Sequence, residues 1–205
     1  MMVTRLKSLM LFLSLAYLTV YLPVMTVAYS SFWYKLGCGF HGRCEVVGEE
    51  KATQGIGELV SYFRHSRNEL PASFWTVKEK KHLEDVRGMI DIMTILCVPV
   101  LLMLIFSFER ERVRRFSLVN MAMVCSPLFV LPFFKYFWRH VFHPLLFSNR
   151  NWLNTPLDFS YYILPRVFFQ YTVIFIVITA IMINFMIYAV LTIGNNRMGK
   201  KRGRR

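Results

Sequence analysis

The sequence predicts an all-α membrane protein of four transmembrane helices, with both termini on the cytoplasmic side, and three observations predict it. Apolar residues make up 55% of the 205-residue chain and the mean hydropathy is +0.40, more than an ordinary soluble domain carries. Four stretches, residues 6–28, 89–108, 116–138 and 167–193, meet the requirement of about 20 mostly apolar residues to cross a hydrocarbon core about 30 Å thick. Positive charge collects in three blocks that the topology brings to one side: Arg5 and Lys7, the link Arg110, Arg112, Arg114 and Arg115, and the tail RMGKKRGRR. That is the distribution of the positive-inside rule.

The first stretch follows two cations and ends in TVAYS, as a cleaved signal peptide would. Its apolar run exceeds the usual signal core of roughly 7–15 residues, so a retained anchor is expected. The chain then reads as a single four-span domain over residues 1–194, with outer loops at about 30–88 and 139–166, followed by a basic cytoplasmic tail at 195–205. The net charge of +13 raises nucleic acid as a partner. Its distribution favours anionic membrane lipid instead, so no nucleic acid is expected, and the tail itself reads as unstructured.

In the first outer loop, CGFHGRCEVVGEEKATQGIG is glycine-rich and polar and gives no firm secondary structure. Cys38 and Cys44 flank GFHGR. Two readings stay open there, a local disulfide in an oxidising compartment and a metal site with His41, the second being one ligand short of a tetrahedral ion. No metal is assigned. Cys97 and Cys125 fall within the spans and read as packing. The spacing of Ile56, Leu59, Val60 and Phe63 predicts a short amphipathic helix over 56–65 lying on the membrane surface.

Thr76 and Glu79 have the spacing of a capping box, which predicts a helix starting there and running straight into the second span. Pro127 and Pro132 predict kinks in the third span. Beyond it, the second outer loop mixes aromatics with His140, His143, Asp158 and Arg166, as an interfacial segment does.

The topology places His82, on the approach to span two, and His143, past the end of span three, at the same face and similar depth. Histidine titrates near neutrality and serves as general acid or base. Asp85 and Glu79, each three residues from His82, are candidates to orient it, although the capping box explains Glu79 without chemistry. Arg87 either snorkels to headgroups or donates to a developing oxyanion. His140 reads as interfacial, Trp138 and Trp152 as belt residues, and His41 and His65 as background. There is no GxSxG, HExxH, P-loop or CxxC, so serine hydrolysis, zinc proteolysis and nucleotide-driven work lose support and no cofactor is expected. What remains suits acid-base chemistry on a substrate that brings its own nucleophile.

Two blocks carry a resemblance. FWTVKEKKHLEDV at 74–86, through Glu79, His82, Asp85, Val86 and Arg87, and the segment 143–169, through His143, Phe147, Trp152, Pro156, Asp158, Pro165, Phe168 and Phe169, resemble the bacterial lipoprotein intramolecular transacylases and their domain-of-unknown-function relatives. With the four-span layout the similarity runs from about residue 4 to residue 194. It implies an enzyme that moves the sn-2 acyl chain of a diacylglyceryl-modified N-terminal cysteine onto that cysteine's own amine, with a lipidated protein or lipid as substrate, and its histidine roles fall on His82 and His143. His82 is then expected as base, oriented by Asp85 or Glu79, and His143 as donor, with the exchange of roles open. Leu83 stands where the family tends to have methionine and Arg166 where an acidic residue is common. The cysteine pair lies outside the pattern. A non-catalytic scaffold or chaperone docking a partner through its outer loops is the alternative. A transporter is weaker, since the spans hold little beyond Asp91, Asn120 and Asn184.

Overall fold

The computed structural model describes the backbone of residues 2–71 and 73–202 and the side chains of 3–71 and 73–194. Among the described residues it is all-helical. Four helical stretches are long and apolar enough to cross a membrane: Val3–Ala28, Val77–Ser107, Arg110–Leu146 and Arg166–Gly194. The chain is therefore a multi-pass membrane protein, and apolar side chains such as Val98, Ile105 and Phe106 are left exposed on the spans. By contacts the chain forms two compact units. One comprises Met1–Pro23, Met93–Phe129 and Phe175–Arg205, the other Val24–Ile92 and Val130–Ile174.

Portions of all four long helices make up the first unit. With little water to expel between them, helices in lipid are joined by packing and by interhelical hydrogen bonds. Asn120 donates to Thr19 Oγ1 at 2.8 Å and to Asn184 Oδ1 at 3.1 Å, and Asn184 donates to the Ala180 carbonyl at 2.8 Å, all buried. The two asparagines thus act as interhelical contacts. In the basic link, Arg112 donates to the Thr4 carbonyl and to Ser8, and Arg110 donates to the Leu191 carbonyl.

The second unit carries the rest. Helix α1 (Met2–Ala28) is followed by α2 (Ser31–His41), α3 (Cys44–Val47) and α4 (Glu49–Phe63). This corrects the expectation of irregular chain over the glycine-rich segment and of a helix confined to 56–65. Two glycines there do break the chain, Gly42 at φ 66 and Gly48 at φ 89, and they fall between helices. Gly55 instead lies within α4, where a Cβ would sit 2.2 Å from the Phe159 ring. Its glycine serves close packing.

Helix α5 (Val77–Ser107) begins at the expected box: the Thr76 N–H donates to Glu79 Oε2 at 2.8 Å and the Glu79 N–H to Thr76 Oγ1 at 3.3 Å. The third span is not one α-helix. After α6 (Arg110–Val124) the chain tightens into a 3-10 segment, Ser126–Phe133, at the two prolines. Then come α7 (Phe134–Phe137), a π-helical turn at Trp138–Phe142 and α8 (His143–Leu146). Last are α9 (Ser160–Ile163) and α10 (Arg166–Arg202). The tail expected to be unstructured continues α10 through 195–202; residues 203–205 and the side chains of 195–202 lie outside the described residues.

Candidate active site

His82 and His143 meet in the second unit with ring centroids 6.0 Å apart and planes tilted by 38°. His82 stands on the second turn of α5, where a helix capped by Thr76 and Glu79 holds its backbone fixed. His143 is positioned by the π turn. Pro144 has no N–H to donate to the carbonyl a turn earlier, and the chain widens just before it. The His143 backbone N–H reaches the Trp138 carbonyl, and the ring Nδ1 lies 2.7 Å from that same oxygen. A carbonyl only accepts, so Nδ1 carries the hydrogen and Nε2 is left as the ring's basic atom when the imidazole is neutral.

Aromatic rings wall both imidazoles. Trp152 lies against His143 at 4.6 Å and 31°, Trp138 meets it edge-on at 4.7 Å, and Phe147 meets His82 edge-on at 4.7 Å. Trp152 is fixed by its own indole N–H, which donates to the Asn149 carbonyl at 2.9 Å. Asn149 in turn donates to Asp85 Oδ2 at 2.9 Å. His82 Nδ1 is buried and has no hydrogen-bond partner among the described residues.

Glu79 does not orient His82. Its carboxylate is almost fully buried at 1% exposure. One oxygen takes the Thr76 N–H and hydroxyl, and the other takes the Ser160 N–H and hydroxyl, both at 2.6 Å. Asp158 makes the reciprocal tie: it accepts from Lys78 Nζ at 2.6 Å and from the Thr155 N–H and hydroxyl, and shares the single Thr76 hydroxyl proton with Glu79, its Oδ1 lying 3.1 Å from that oxygen. Burial opposes its ionisation, but Lys78 and the threonine donors outweigh that and hold the carboxyl below its ordinary value. Lys78 also donates to the Leu153 carbonyl. Two carboxylates thus dock the second loop onto the start of α5, and the loop carries Trp152 to His143.

Arg87 lies elsewhere. It stacks over the Tyr62 ring at 4.4 Å and bonds His65 Nδ1, while His65 Nε2 meets Asp91 at 2.7 Å. Cys38 and Cys44 are joined in a disulfide with Cα atoms 5.4 Å apart. Their sulfurs lie within 4.8 Å of a His41 ring nitrogen, but a disulfide offers no thiolate to a metal ion.

The two histidines share a cavity of about 410 Å³ whose other walls include Arg43, Lys135, Trp138, Arg139, Trp152, Tyr161, Arg166 and Phe169. Among the described residues lining it there are four cations and no carboxylate. A positive field of that kind disfavours an ammonium group and favours an oxyanion. Sequence reasoning passed over Asn149, Ser160 and Arg43 and took Trp138 for a belt residue. Trp152 stood in the second resemblance block, which was the one signal that marked any of these walls.

The family model of the lipoprotein intramolecular transacylase Lit matches residues 7–169 of the chain. Among solved structures, the membrane-integral lipoprotein intramolecular transacylase Lit from Bacillus cereus aligns at a TM-score of 0.83 and 18% identity, covering 96% of this chain and 98% of that one. Two structures of the Bacillus cereus protein with a single histidine replaced, by alanine or by arginine, align at 0.80 and 0.81 with 16% identity and 96% of this chain covered. They cover 96% and 95% of those chains. At such identities the likeness is one of fold. No curated protein sequence matches the chain.

Proposed function

Because this chain belongs to the family of the lipoprotein intramolecular transacylase Lit, we propose that it transfers the sn-2 acyl chain of a diacylglyceryl-cysteine lipoprotein to that cysteine's own α-amine, by histidine acid-base catalysis at the outer leaflet. The observation that carries the chemistry is the bond from His143 Nδ1 to the Trp138 carbonyl, 2.7 Å long. It leaves Nε2 as the basic ring atom on a residue that lines the cavity with His82, which supports His143 as the base.

An α-amine has an ordinary pKa of about 8, so near neutrality it must shed a proton before it attacks, and an imidazole is matched to take it. The four cations around the cavity shift the amine toward its neutral, nucleophilic form. His143 Nε2 takes an N–H proton as nitrogen bonds to the ester carbonyl carbon, and the carbonyl oxygen becomes an oxyanion. Collapse re-forms the carbonyl and breaks the bond to the glyceryl sn-2 oxygen, which a histidine N–H protonates as it leaves. Amide and free hydroxyl result, with no acyl-enzyme. Nucleophile and ester belong to one molecule, so positioning supplies much of the rate.

This takes the exchange of roles that the sequence left open. His143 is the base because its tautomer is fixed; His82, one of whose two expected partners, Glu79, is committed to Thr76 and Ser160, relays the proton that His143 took from the amine to the leaving oxygen, so that both rings end neutral. The outer-leaflet placement rests on the three basic blocks at the opposite ends of the spans.

The test is conversion of a synthetic diacylglyceryl lipopeptide by the purified protein in detergent. His143→Ala and His82→Ala each lower kcat by at least about 100-fold, the usual contribution of a general acid or base, while inserting normally. Wild-type rates in both variants would end the catalytic reading.

A further inference from the structure

The first outer loop reaches the cavity through Arg43, which stands with Gly42 between α2 and α3. The backbone there is held on three sides. The left-handed Gly42 gives its N–H to the Cys38 carbonyl at 2.9 Å, the Arg43 N–H donates to His41 Nδ1 at 3.1 Å, and the Cys38–Cys44 disulfide closes the turn around both. Burial first, and the Arg43 guanidinium second, hold the His41 pKa below its ordinary value, so Nδ1 stays available to accept.

The side chain is held too. The Arg43 guanidinium lies over the Tyr161 ring at 4.7 Å from the centroid and donates through Nη1 to the Tyr161 carbonyl at 3.4 Å. Tyr161 is itself a wall of the cavity. Fixing a long, exposed arginine costs rotamer entropy, and stacking on an aromatic face recovers part of that. The arrangement leaves most of the five guanidinium N–H donors without a partner among the described residues. A pre-ordered fork of donors at a cavity wall is matched to oxygen acceptors.

We infer that Arg43 is a substrate-binding residue that takes the carbonyl oxygens of the acylated, peptide-linked cysteine, and that the Cys38–Cys44 disulfide is the device that positions it. The assignment rests on the substrate class proposed above. Arg43 neither gives nor takes a proton, and an acetylated amine cannot respond to the field of the cavity cations, so with an acetylated probe its effect is read on substrate affinity alone.

The probe is a diacylglyceryl lipopeptide whose N-terminal amine is acetylated, which binds without reacting. Its Kd is measured for the full-length protein in detergent, for Arg43→Gln, Arg43→Lys, Cys38→Ser with Cys44→Ser, and Arg43→Gln combined with both cysteine substitutions. Arg43→Gln weakens binding by about 10-fold, the loss of one charge-assisted hydrogen bond, and leaves the thermal midpoint unchanged. Arg43→Lys keeps the charge but loses the fork and the stack, and lies between. The cysteine pair weakens binding as Arg43→Gln does, and the combined variant is no weaker than either, because both changes remove one interaction.

A Kd for Arg43→Gln within about two-fold of wild type, or a wild type that does not bind the probe, overturns the assignment. Wild-type affinity in the cysteine variant overturns the positioning role of the disulfide. Should wild type bind the acetylated probe yet leave the free-amine lipopeptide unconverted, the transacylase reading fails while the binding assignment stands.

Discussion

His143 gives both its backbone N–H and its ring Nδ1–H to one acceptor, the carbonyl of Trp138, five residues earlier. A regular α-helix offers its N–H groups the carbonyl four residues back. The π turn moves the partner by one residue and turns the same oxygen toward the imidazole.

Restoring the missing donor should undo this. Pro144→Ala supplies an N–H able to bond the His140 carbonyl, which favours regular helix through the turn. The expected result is a kcat lower by about 10-fold or more from misplacement of the base, with KM little changed and thermal stability equal or higher. An unchanged kcat would show that the π turn does not set the ring.

Glu79 ties two segments 81 residues apart through the Ser160 N–H and hydroxyl. Removing the carboxylate leaves buried donors unpaired on both sides, so Glu79→Ala destabilises by about 3 kcal/mol or more. Ser160→Ala removes the hydroxyl alone and costs about 1–2 kcal/mol. Thermal unfolding in detergent reads both. Because the loop also carries Trp152, activity falls with docking at temperatures well below the midpoint.

Asp158 supplies a pH dependence whose sign is fixed. Its folded-state pKa lies below the ordinary carboxylate value, so its contribution is present above about pH 4 and is lost as pH falls through the folded value. The thermal midpoint of the wild type therefore drops on acidification below about pH 4. Asp158→Asn lowers the midpoint at neutral pH and flattens that acid limb; a limb of equal steepness in the variant would rule Asp158 out as its source.

Two glycines of α4 separate packing from propensity. A Cβ at Gly55 would lie 2.2 Å from Phe159, whereas at Gly57 nothing lies within 4 Å. Gly55→Ala destabilises by about 1–3 kcal/mol through overpacking, and Gly57→Ala stabilises by about 0.5–1 kcal/mol through helix propensity. The two midpoints should move in opposite directions.

These contrasts mark where sequence reading ran out. The spans were legible because a bilayer imposes one length and one composition on them, and the cap at Thr76 and Glu79 because it is local. The second partner of Glu79 was not, since nothing in the spacing of 79 and 160 predicts a tie across the fold. The second half of α4 was legible from the spacing of its apolar residues, but its first turns were hidden by the glycine-rich, polar run up to Gly55, which reads as a breaker although it is a packing contact. The wide turn before His143 was invisible because Pro144 breaks several kinds of helix alike. Topology alone brought His82 and His143 to one face. Which ring holds the proton depended on a carbonyl that no side-chain pattern reveals.

Mass spectrometry of lipoprotein N-terminal peptides, in a host that makes diacylated lipoproteins and has no such activity, tests the central claim most directly. Expression of the wild-type chain should convert them to N-acylated lyso forms of unchanged total mass, since the transfer is intramolecular, with fragment ions placing one acyl chain on the cysteine nitrogen. Expression of His143→Ala at equal membrane abundance should leave the diacylglyceryl form intact. Lipoproteins that stay fully diacylglyceryl with the wild-type chain present, or are converted equally by the variant, would contradict the account.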